Sequence, residues 1–286
     1  MKNKVLLIND LPGYGKVALS AMFPVLSSMG CDIYNLPTAL VSNTLDYGKF
    51  EILDTTEYMR KTLKVWDELE FEFDCICTGF IVSEEQVKLI KDYVDKQKKR
   101  GVFVVVDPIM GDDGKLYNGI TEETVVNMRE LCKIANIITP NFTEACYLAD
   151  MYRDRKTVGS DEMYTLIEKL SGSGQCSVVI TSVACDDGQN YVCGYSHEDD
   201  DYFVYPFEMI PVRFPGTGDL FSAYLVGAVI RRWPLKAAVQ QAMGRISELI
   251  LKNKGNEDKY KGIPIEQYLA EGSIKDGETE DKNNIG

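Results

Sequence analysis

Short apolar runs alternate with amphipathic stretches along most of the chain. Residues 5–8 form an apolar run that ends at Asn9-Asp10 and predicts a first strand. Residues 17–29 carry apolar side chains at helical spacing and stop at Gly30. A second strand is predicted over 32–36, a helix over 56–69 and a third strand over 73–78. Residues 84–100 form a charged amphipathic helix that stops at Gly101. Residues 102–106 are five consecutive apolar positions, mostly β-branched, followed by Asp107-Pro108. Such a run suits a strand buried on both faces of a parallel sheet. Helices follow over 122–135, 141–150 and 161–170, with strand cores at Ile137-Ile138 and 178–181. Between 190 and 214 the pattern changes to short strands separated by turns. Two apolar helices, 220–232 and 235–252, complete it. The alternation predicts an α/β fold with a mostly parallel sheet covered by helices on both faces. Ligands of such sheets bind beyond the carboxyl ends of the strands. No internal repeat is visible. The segment from Gly272 is polar and is expected to be disordered, which gives one domain over 1–271 and a tail over 272–286.

Composition narrows the function. The 286 residues suffice for one sizeable α/β domain, and 45% hydrophobic with 26% charged residues is ordinary for a soluble globular protein. No apolar run reaches the roughly 18 residues needed to span a bilayer, so no membrane partner is expected. The amino terminus reads as a strand and not as a secretory signal. The formal charge of −13 comes without a basic face, which argues against nucleic acid. ATP remains possible, because its phosphates need only a few local amides and a metal ion. Eight cysteines occur without a CxxC pair, and Cys75 and Cys77 alternate so that both face one side. They read as buried reduced thiols of a cytoplasmic protein. The single histidine, His197, leaves no basis for a histidine triad or a multi-histidine metal site.

Three segments carry candidate chemistry. In Phe214-Pro215-Gly216-Thr217-Gly218-Asp219, two glycines flank a threonine just before an apolar helix. Glycines let successive N–H groups converge, and a helix N-terminus adds positive potential, which together make an anion hole. Asp219 lies beside that hole, placed to accept a hydroxyl proton. Alone, the segment reads equally as a capped helix start. In Thr139-Pro140-Asn141-Phe142-Thr143-Glu144, Asn141 and Glu144 stand three apart. They form either a capping box or a polar pair near a metal-bound triphosphate. In Asp107-Pro108-Ile109-Met110-Gly111-Asp112, an acid ends a buried strand and points to the ligand crevice, or simply serves turn chemistry. Gly13-Tyr14-Gly15 only loosely matches a dinucleotide fingerprint, and a Walker A loop is absent.

Together with Ser42-Asn43-Thr44, Tyr47, Thr78-Gly79-Phe80 and residues 179–182, these segments resemble the ribokinase superfamily, in the branch that holds the pyridoxal kinases. The resemblance runs from about Val5 to about Leu251. It implies a three-layer α/β/α sandwich and transfer of the ATP γ-phosphoryl group to the 5′-hydroxymethyl of a vitamin B6 vitamer. Asp219 would be the base, with the amides of Gly216, Thr217 and Gly218 as the anion hole. Asp107, Asn141 and Glu144 would organise Mg-ATP, with Asp107 and Glu144 nearest the metal. Thr181 and Ser182 would contact nucleotide, and Asp112 and Tyr117 would belong to a flap over it, residues 111–119. Asn9, Thr44, Tyr47 and Phe80 would meet the substrate. A monovalent cation such as K+ and a homodimer are further implications. Hydroxymethylpyrimidine kinases resemble the chain too, but typically carry cysteine where Asp219 stands. The family serine at the end of the first strand is Asn9 here, and the tyrosine after Thr-Gly is Phe80. The alternatives are a kinase for hydroxymethylpyrimidine or another small alcohol, and a non-catalytic nucleotide-binding regulator.

Overall fold

The structure is a computed structural model and describes residues 3–117, 120–172 and 174–269. In chain order its elements are β1 (Asn3–Pro12), α1 (Ala18–Ser28), β2 (Cys31–Val41), β3 (Ile52–Asp54), α2 (Thr56–Glu68), β4 (Cys75–Thr78), α3 (Glu84–Lys98), β5 (Phe103–Val106), β6 (Gly111–Asp112), β7 (Lys115–Leu116), α4 (Glu122–Cys132), β8 (Ile137–Ile138), α5 (Phe142–Ala149), α6 (Ser160–Ser171), β9 (Ser177–Ala184), β10 (Asn190–Ser196), β11 (Asp201–Phe207), α7 (Thr217–Val229) and α8 (Leu235–Asn253). A single 3-10 turn, Leu45–Tyr47, sits between β2 and β3.

Nine strands form one sheet in the order β11-β10-β9-β8-β5-β4-β1-β2-β3. The six from β2 to β9 run parallel, while β3 at one edge and β10 and β11 at the other are antiparallel. Alternation along the strands divides the apolar side chains between two cores. Leu6, Ile8, Ile76, Val104 and Val106 face the layer made by α2 to α6. Val5, Leu7, Cys75, Cys77 and Val105 face the layer of α1, α7 and α8. This is the expected three-layer α/β/α sandwich. Helix α7 is buried along one continuous stretch from Leu220 to Ala228 because it packs on the sheet, α1 and α8 together. Each fully buried Leu or Ile in these layers contributes roughly 1.5–3 kcal/mol relative to exposure.

From β1 the chain steps to β2 on one side and later to β4 on the other. The carboxyl ends of β1 and β4 therefore flank a topological switch point, where open α/β sheets form their ligand crevice.

Two strands run further than their apolar pattern predicts. β1 continues to Pro12 instead of stopping at Ile8, and β2 to Val41 instead of Leu36. Past Asn9 the ladder continues through a register shift between Asn9 and Leu11, with polar and small residues such as Thr38 and Ala39 in buried positions that break the apolar repeat. The exposed β3 pairs with the end of β2 at this edge of the sheet. The small β6–β7 hairpin also lacks an apolar pattern; its turn is Asp113-Gly114, both with positive φ. An Asp-Gly pair of this kind is a two-residue hairpin signal in its own right. The acidic tail, 272–286, lies outside the described residues, as do Asn118 and Gly119 of the expected flap.

Candidate active site

The N-terminus of α7 faces the end of β1 and the start of α1. Gly216 caps α7 with φ of +83°, and a β-carbon there would collide with the Lys16 carbonyl. Glycine is thus required twice, by the left-handed backbone and by the close approach. The first hydrogen bond of the helix turn runs from Leu220 N–H to Gly216 O at 2.9 Å. The N–H groups of Thr217 and Gly218 precede it, in the positions that a helix leaves without intrahelical acceptors. Gly218 is exposed, with open space where a side chain would stand. This geometry can receive an anion of phosphoryl size.

Asp219 lies in the first turn of the same helix. Its carboxylate accepts from its own N–H, from the N–H of Ala18 and, at 3.3 Å, from Asn9 Nδ2. Ala18 adopts φ of +48°, unusual for a residue with a β-carbon and strained by roughly 1–3 kcal/mol. Burial pushes the Asp219 carboxyl up to about 6, against the lowering effect of these three donors. Asp10, which ends the predicted first strand, is driven up to about 7 by burial and then by the charge of Asp219.

Ser222, one turn along α7, connects this acid to the nucleotide side. Its hydroxyl donates to Asp107 Oδ2 at 2.7 Å and lies 3.3 Å from the Thr139 hydroxyl. Asp107 ends β5; burial and then the Asp219 charge raise its pKa, with Ser222 opposing them. Glu144 is buried in the first turn of α5. Its Oε2 accepts from Asn141 N–H at 2.8 Å, while Glu144 N–H donates to Asn141 Oδ1 at 2.9 Å. The capping box therefore forms. Its other oxygen accepts from Met110 N–H at 3.1 Å, and Asn141 Nδ2 donates to Gly111 O at 2.7 Å. The pair thus also fixes the loop after Asp107. Burial and the charge of Asp107 push Glu144 well above the ordinary carboxyl range.

The remaining nucleotide-side candidates gather at the same end of the sheet. Thr181 N–H donates to Pro140 O at 3.0 Å, beside an isolated bridge to Asn141. Ser182 is exposed with φ of +58°, next to a register irregularity between β9 and β10. Tyr117 N–H donates to Met110 O at 3.0 Å. Asp112 meets Arg213 Nη2 at 3.3 Å, and Asp113 meets Arg213 Nη1 at 2.7 Å. Arg213, just before the anion hole, therefore ties the β6–β7 hairpin to the α7 side.

A cation fits the donor set around Asp107. Asp107, Asp219 and Glu144 are like-charged neighbours in a desolvated pocket, and a cation relieves their mutual repulsion. Among the described residues no three His, Cys, Asp or Glu side chains converge to hold a metal unaided. That suits Mg2+, which usually needs only one or two carboxylates when phosphates supply the other ligands. Asp107 has the freer carboxylate of the two expected metal residues, since both Glu144 oxygens accept backbone N–H groups.

On the alcohol side, the structure changes three expectations. Asn9 is 2% exposed, and its Oδ1 accepts from Phe80 N–H at 2.8 Å and Asp10 N–H at 2.9 Å. With Nδ2 on Asp219, its amide faces protein groups and not an open pocket. Thr44 is equally buried and donates its hydroxyl to Tyr260 O at 2.7 Å. Tyr47 donates to Asp258 Oδ2 at 2.6 Å, with its ring against Tyr14 and Tyr260. Lys16 N–H donates to Lys261 O at 2.7 Å, and the Lys16 ammonium pairs with Glu266. Residues 258–266 thus strap together the β1–α1 loop and the turn after β2. A β-carbon at Gly262 would lie 2.8 Å from Lys16 O and 3.1 Å from Pro215 O, so the strap also packs on the anion hole. Phe80 is half-buried at the end of β4; its carbonyl accepts from the Thr38 hydroxyl at 2.8 Å. Of the four expected substrate residues, its ring alone keeps no such bond.

Asp10, Ala18, Ser222, Arg213 and the strap escape sequence reasoning. Ser222 could have been found, because it stands three residues after Asp219 on one helix face. The strap carries no local signal.

The phosphomethylpyrimidine kinase family model matches residues 23–262. A Bacteroides thetaiotaomicron protein, provisionally described as a phosphomethylpyrimidine kinase and solved with pyridoxal, is 34% identical, with a TM-score of 0.89 and coverage of 95% of this chain and 96% of that one. Pyridoxal kinase from Leishmania donovani, solved with ADP and pyridoxamine, is 25% identical, with a TM-score of 0.82 and coverage of 94% and 95%. A Schizosaccharomyces pombe protein, provisionally described as a pyridoxal kinase, is 29% identical over 93% of this chain and 89% of its own length.

Proposed function

This chain belongs to the phosphomethylpyrimidine kinase family of the ribokinase superfamily, and we propose that it phosphorylates the hydroxymethyl group of a six-membered nitrogen heterocycle. It is an ATP-dependent kinase of a small alcohol. The observation that carries the phosphoryl-transfer chemistry of this reading is the juxtaposition of a desolvated acid, Asp219, with the exposed glycine-flanked N-terminus of the same helix; the family match and the relative solved with pyridoxal support a heterocycle. One element then supplies both the proton acceptor and the donors for the transferring group.

In this reading the alcohol oxygen attacks the γ-phosphorus while Asp219 aims the hydroxyl and takes its proton as the new P–O bond forms. The N–H groups of Gly216, Thr217 and Gly218 steady the charge on the phosphoryl oxygens. Asp107, with Glu144 behind it, would hold Mg2+, which neutralises phosphate charge when bound with ATP. Asn141, Thr181 and Ser182 line the nucleotide side, and Asp112 and Tyr117 close over it. In this reading the half-buried Phe80 ring would stack on the heterocycle.

The family match supports a pyrimidine, the alternative reading of the sequence, better than a pyridine. A B6 vitamer is the second reading. It is favoured by the likeness to the protein solved with pyridoxal and by aspartate at position 219. On either reading residues 1–271 form the kinase domain, and a cytoplasmic homodimer is part of the proposal. Among the described residues no helix is long and apolar enough to cross a membrane.

The test is ADP release with Mg-ATP and a panel of hydroxymethylpyrimidine, pyridoxal, pyridoxine, pyridoxamine and simple sugars. Turnover on at least one heterocycle and little on sugars is expected. Preference for sugars, or ATP turnover indifferent to the alcohol, would refute the reading.

A further inference from the structure

We infer that Asn9 is a positioning residue for Asp219, acting through its side-chain N–H₂ group, and that it does not bind the alcohol. This rests on the reading of Asp219 as the proton acceptor.

The orientation of the amide follows from its surroundings. Two backbone N–H groups, from Phe80 at 2.8 Å and Asp10 at 2.9 Å, converge on one end of it. That end must be the oxygen, because an N–H₂ group there would face two donors and accept neither. The other end is then a donor, and it lies 3.3 Å from Asp219 Oδ1 and 3.8 Å from Met22 Sδ. A flipped amide would lose both backbone bonds and set its oxygen against a carboxylate.

Packing fixes the position as well as the orientation. Asn9 is buried at the point where β1 shifts register against β2. Any side chain at Gly79 would collide with the Asn9 amide, so the Gly79 surface forms the floor beneath it. Phe80 follows directly, and its N–H is one of the two clamping donors. The amide therefore bridges the ends of β1 and β4 at the switch point to the first turn of α7. Ala18, in its left-handed conformation, presents a second donor to the same carboxylate. Asn9 and Ala18 together leave Asp219 few orientations, and an acid that must aim a hydroxyl in line with the phosphorus depends on that restriction.

A donor-selective substitution separates this role from a structural one. Asn9→Asp keeps an oxygen for the Phe80 and Asp10 N–H groups but replaces the donor that faces Asp219 with a like charge. Asn9→Ala removes both ends. We expect kcat to fall about 10- to 100-fold in Asn9→Asp, within the range of a lost hydrogen bond to a charged group. KM for the heterocycle and for ATP should stay within about threefold of wild type. Asn9→Ala should lose kcat similarly and should also melt earlier, because two buried N–H groups lose their acceptor. A rise in heterocycle KM at unchanged kcat in either variant would place Asn9 in the alcohol pocket and overturn the inference. So would wild-type kcat in Asn9→Asp. Asp219→Asn is run in parallel. If that variant keeps near-wild-type kcat, the reading of Asp219 itself has failed. If it loses kcat while Asn9→Asp keeps wild-type kcat, the positioning role alone is refuted.

Discussion

On the nucleotide side, Asp107, Asn141, Glu144 and Thr181 stand at the ends of β5 and β8, in the first turn of α5 and in β9. Asn141 and Glu144 bond to each other and to the loop after Asp107, Thr181 N–H bonds to Pro140 O in the neighbouring segment, and Asp107 also accepts from Ser222 of α7. On the alcohol side, Asn9, Thr44 and Tyr47 depend on partners 71 to 216 residues away, just after β4, in α7 and in the strap, with Asp10 N–H as Asn9's one adjacent donor. The first arrangement is rigid because the sheet is rigid. The second depends on a few side-chain contacts between loops. A site built this way can keep its phosphoryl chemistry while its alcohol pocket varies, because the strap and the loops can change without disturbing the strand ends. The departures from the family pattern fall on the alcohol side: Asn9 at the strand end and Phe80 after Thr-Gly.

Asp219 sits where the two halves meet, and its substitution should have the largest effect. Asp219→Asn should reduce kcat by about 10²–10⁴-fold, the usual contribution of general-base catalysis. A general base works only when ionised. With its pKa raised to about 6 in the free protein, wild-type kcat/KM should fall as pH drops through that value, and the variant should lose that limb. Retention of more than about a tenth of wild-type kcat, with chemistry rate-limiting, would remove Asp219 from this role.

Glu144→Gln tests the rigid half. One end of the new amide must present N–H₂ to either the Met110 or the Asn141 N–H. The expected destabilisation is about 1–3 kcal/mol, and melting should move down by roughly 2–4 °C per kcal/mol. KM for Mg-ATP should rise more than KM for the alcohol. An earlier melt with unchanged Mg-ATP kinetics would reduce Glu144 to its capping box.

Thr44→Val tests the strapped half with nearly constant volume. It removes the bond to the Tyr260 carbonyl and should raise the alcohol KM about fivefold, equivalent to about 1 kcal/mol, with ATP KM unchanged. Equal rises in both constants would show that the halves are not separable.

The smallest effect on turnover is expected at Asp10, where the change is in stability. Its folded pKa, about 7, lies above the ordinary value of 3.8, so the folded state keeps this proton over that interval. Stability is therefore lost as pH rises from about 4 to about 7 and is flat above that. Asp10→Asn should stabilise the protein at pH 8 by roughly 1–2 kcal/mol, discounted for partial exposure, and hardly at all at pH 4. Equal gains at both pH values would trace the effect to packing instead of charge.

The comparison also explains what the sequence makes legible. The layers follow from apolar periodicity: the run over 102–106 and the helices around it needed only local pattern to be placed. The Asn141–Glu144 capping box and the Gly216–Asp219 turn are local as well, and both appear at the strand and helix ends where they were expected. Thr44 and Tyr47 were found as motif positions, but their partners, Tyr260 and Asp258, lie more than 200 residues on in a stretch with no pattern. The role of Asn9 was hidden for the same reason. Its side chain chooses Asp219 only because β1, β4 and α7 converge, and nothing within a few residues of Asn9 announces that meeting.

The central claim is phosphoryl transfer from ATP to a hydroxymethyl oxygen on a nitrogen heterocycle. It is tested most directly by ³¹P NMR of the products formed from Mg-ATP and each heterocycle of the panel. The account predicts one new phosphomonoester whose phosphorus couples to the two methylene protons of the hydroxymethyl group, formed in step with ADP. ADP accompanied only by inorganic phosphate for every heterocycle, or a phosphoester at a ring hydroxyl, would contradict it.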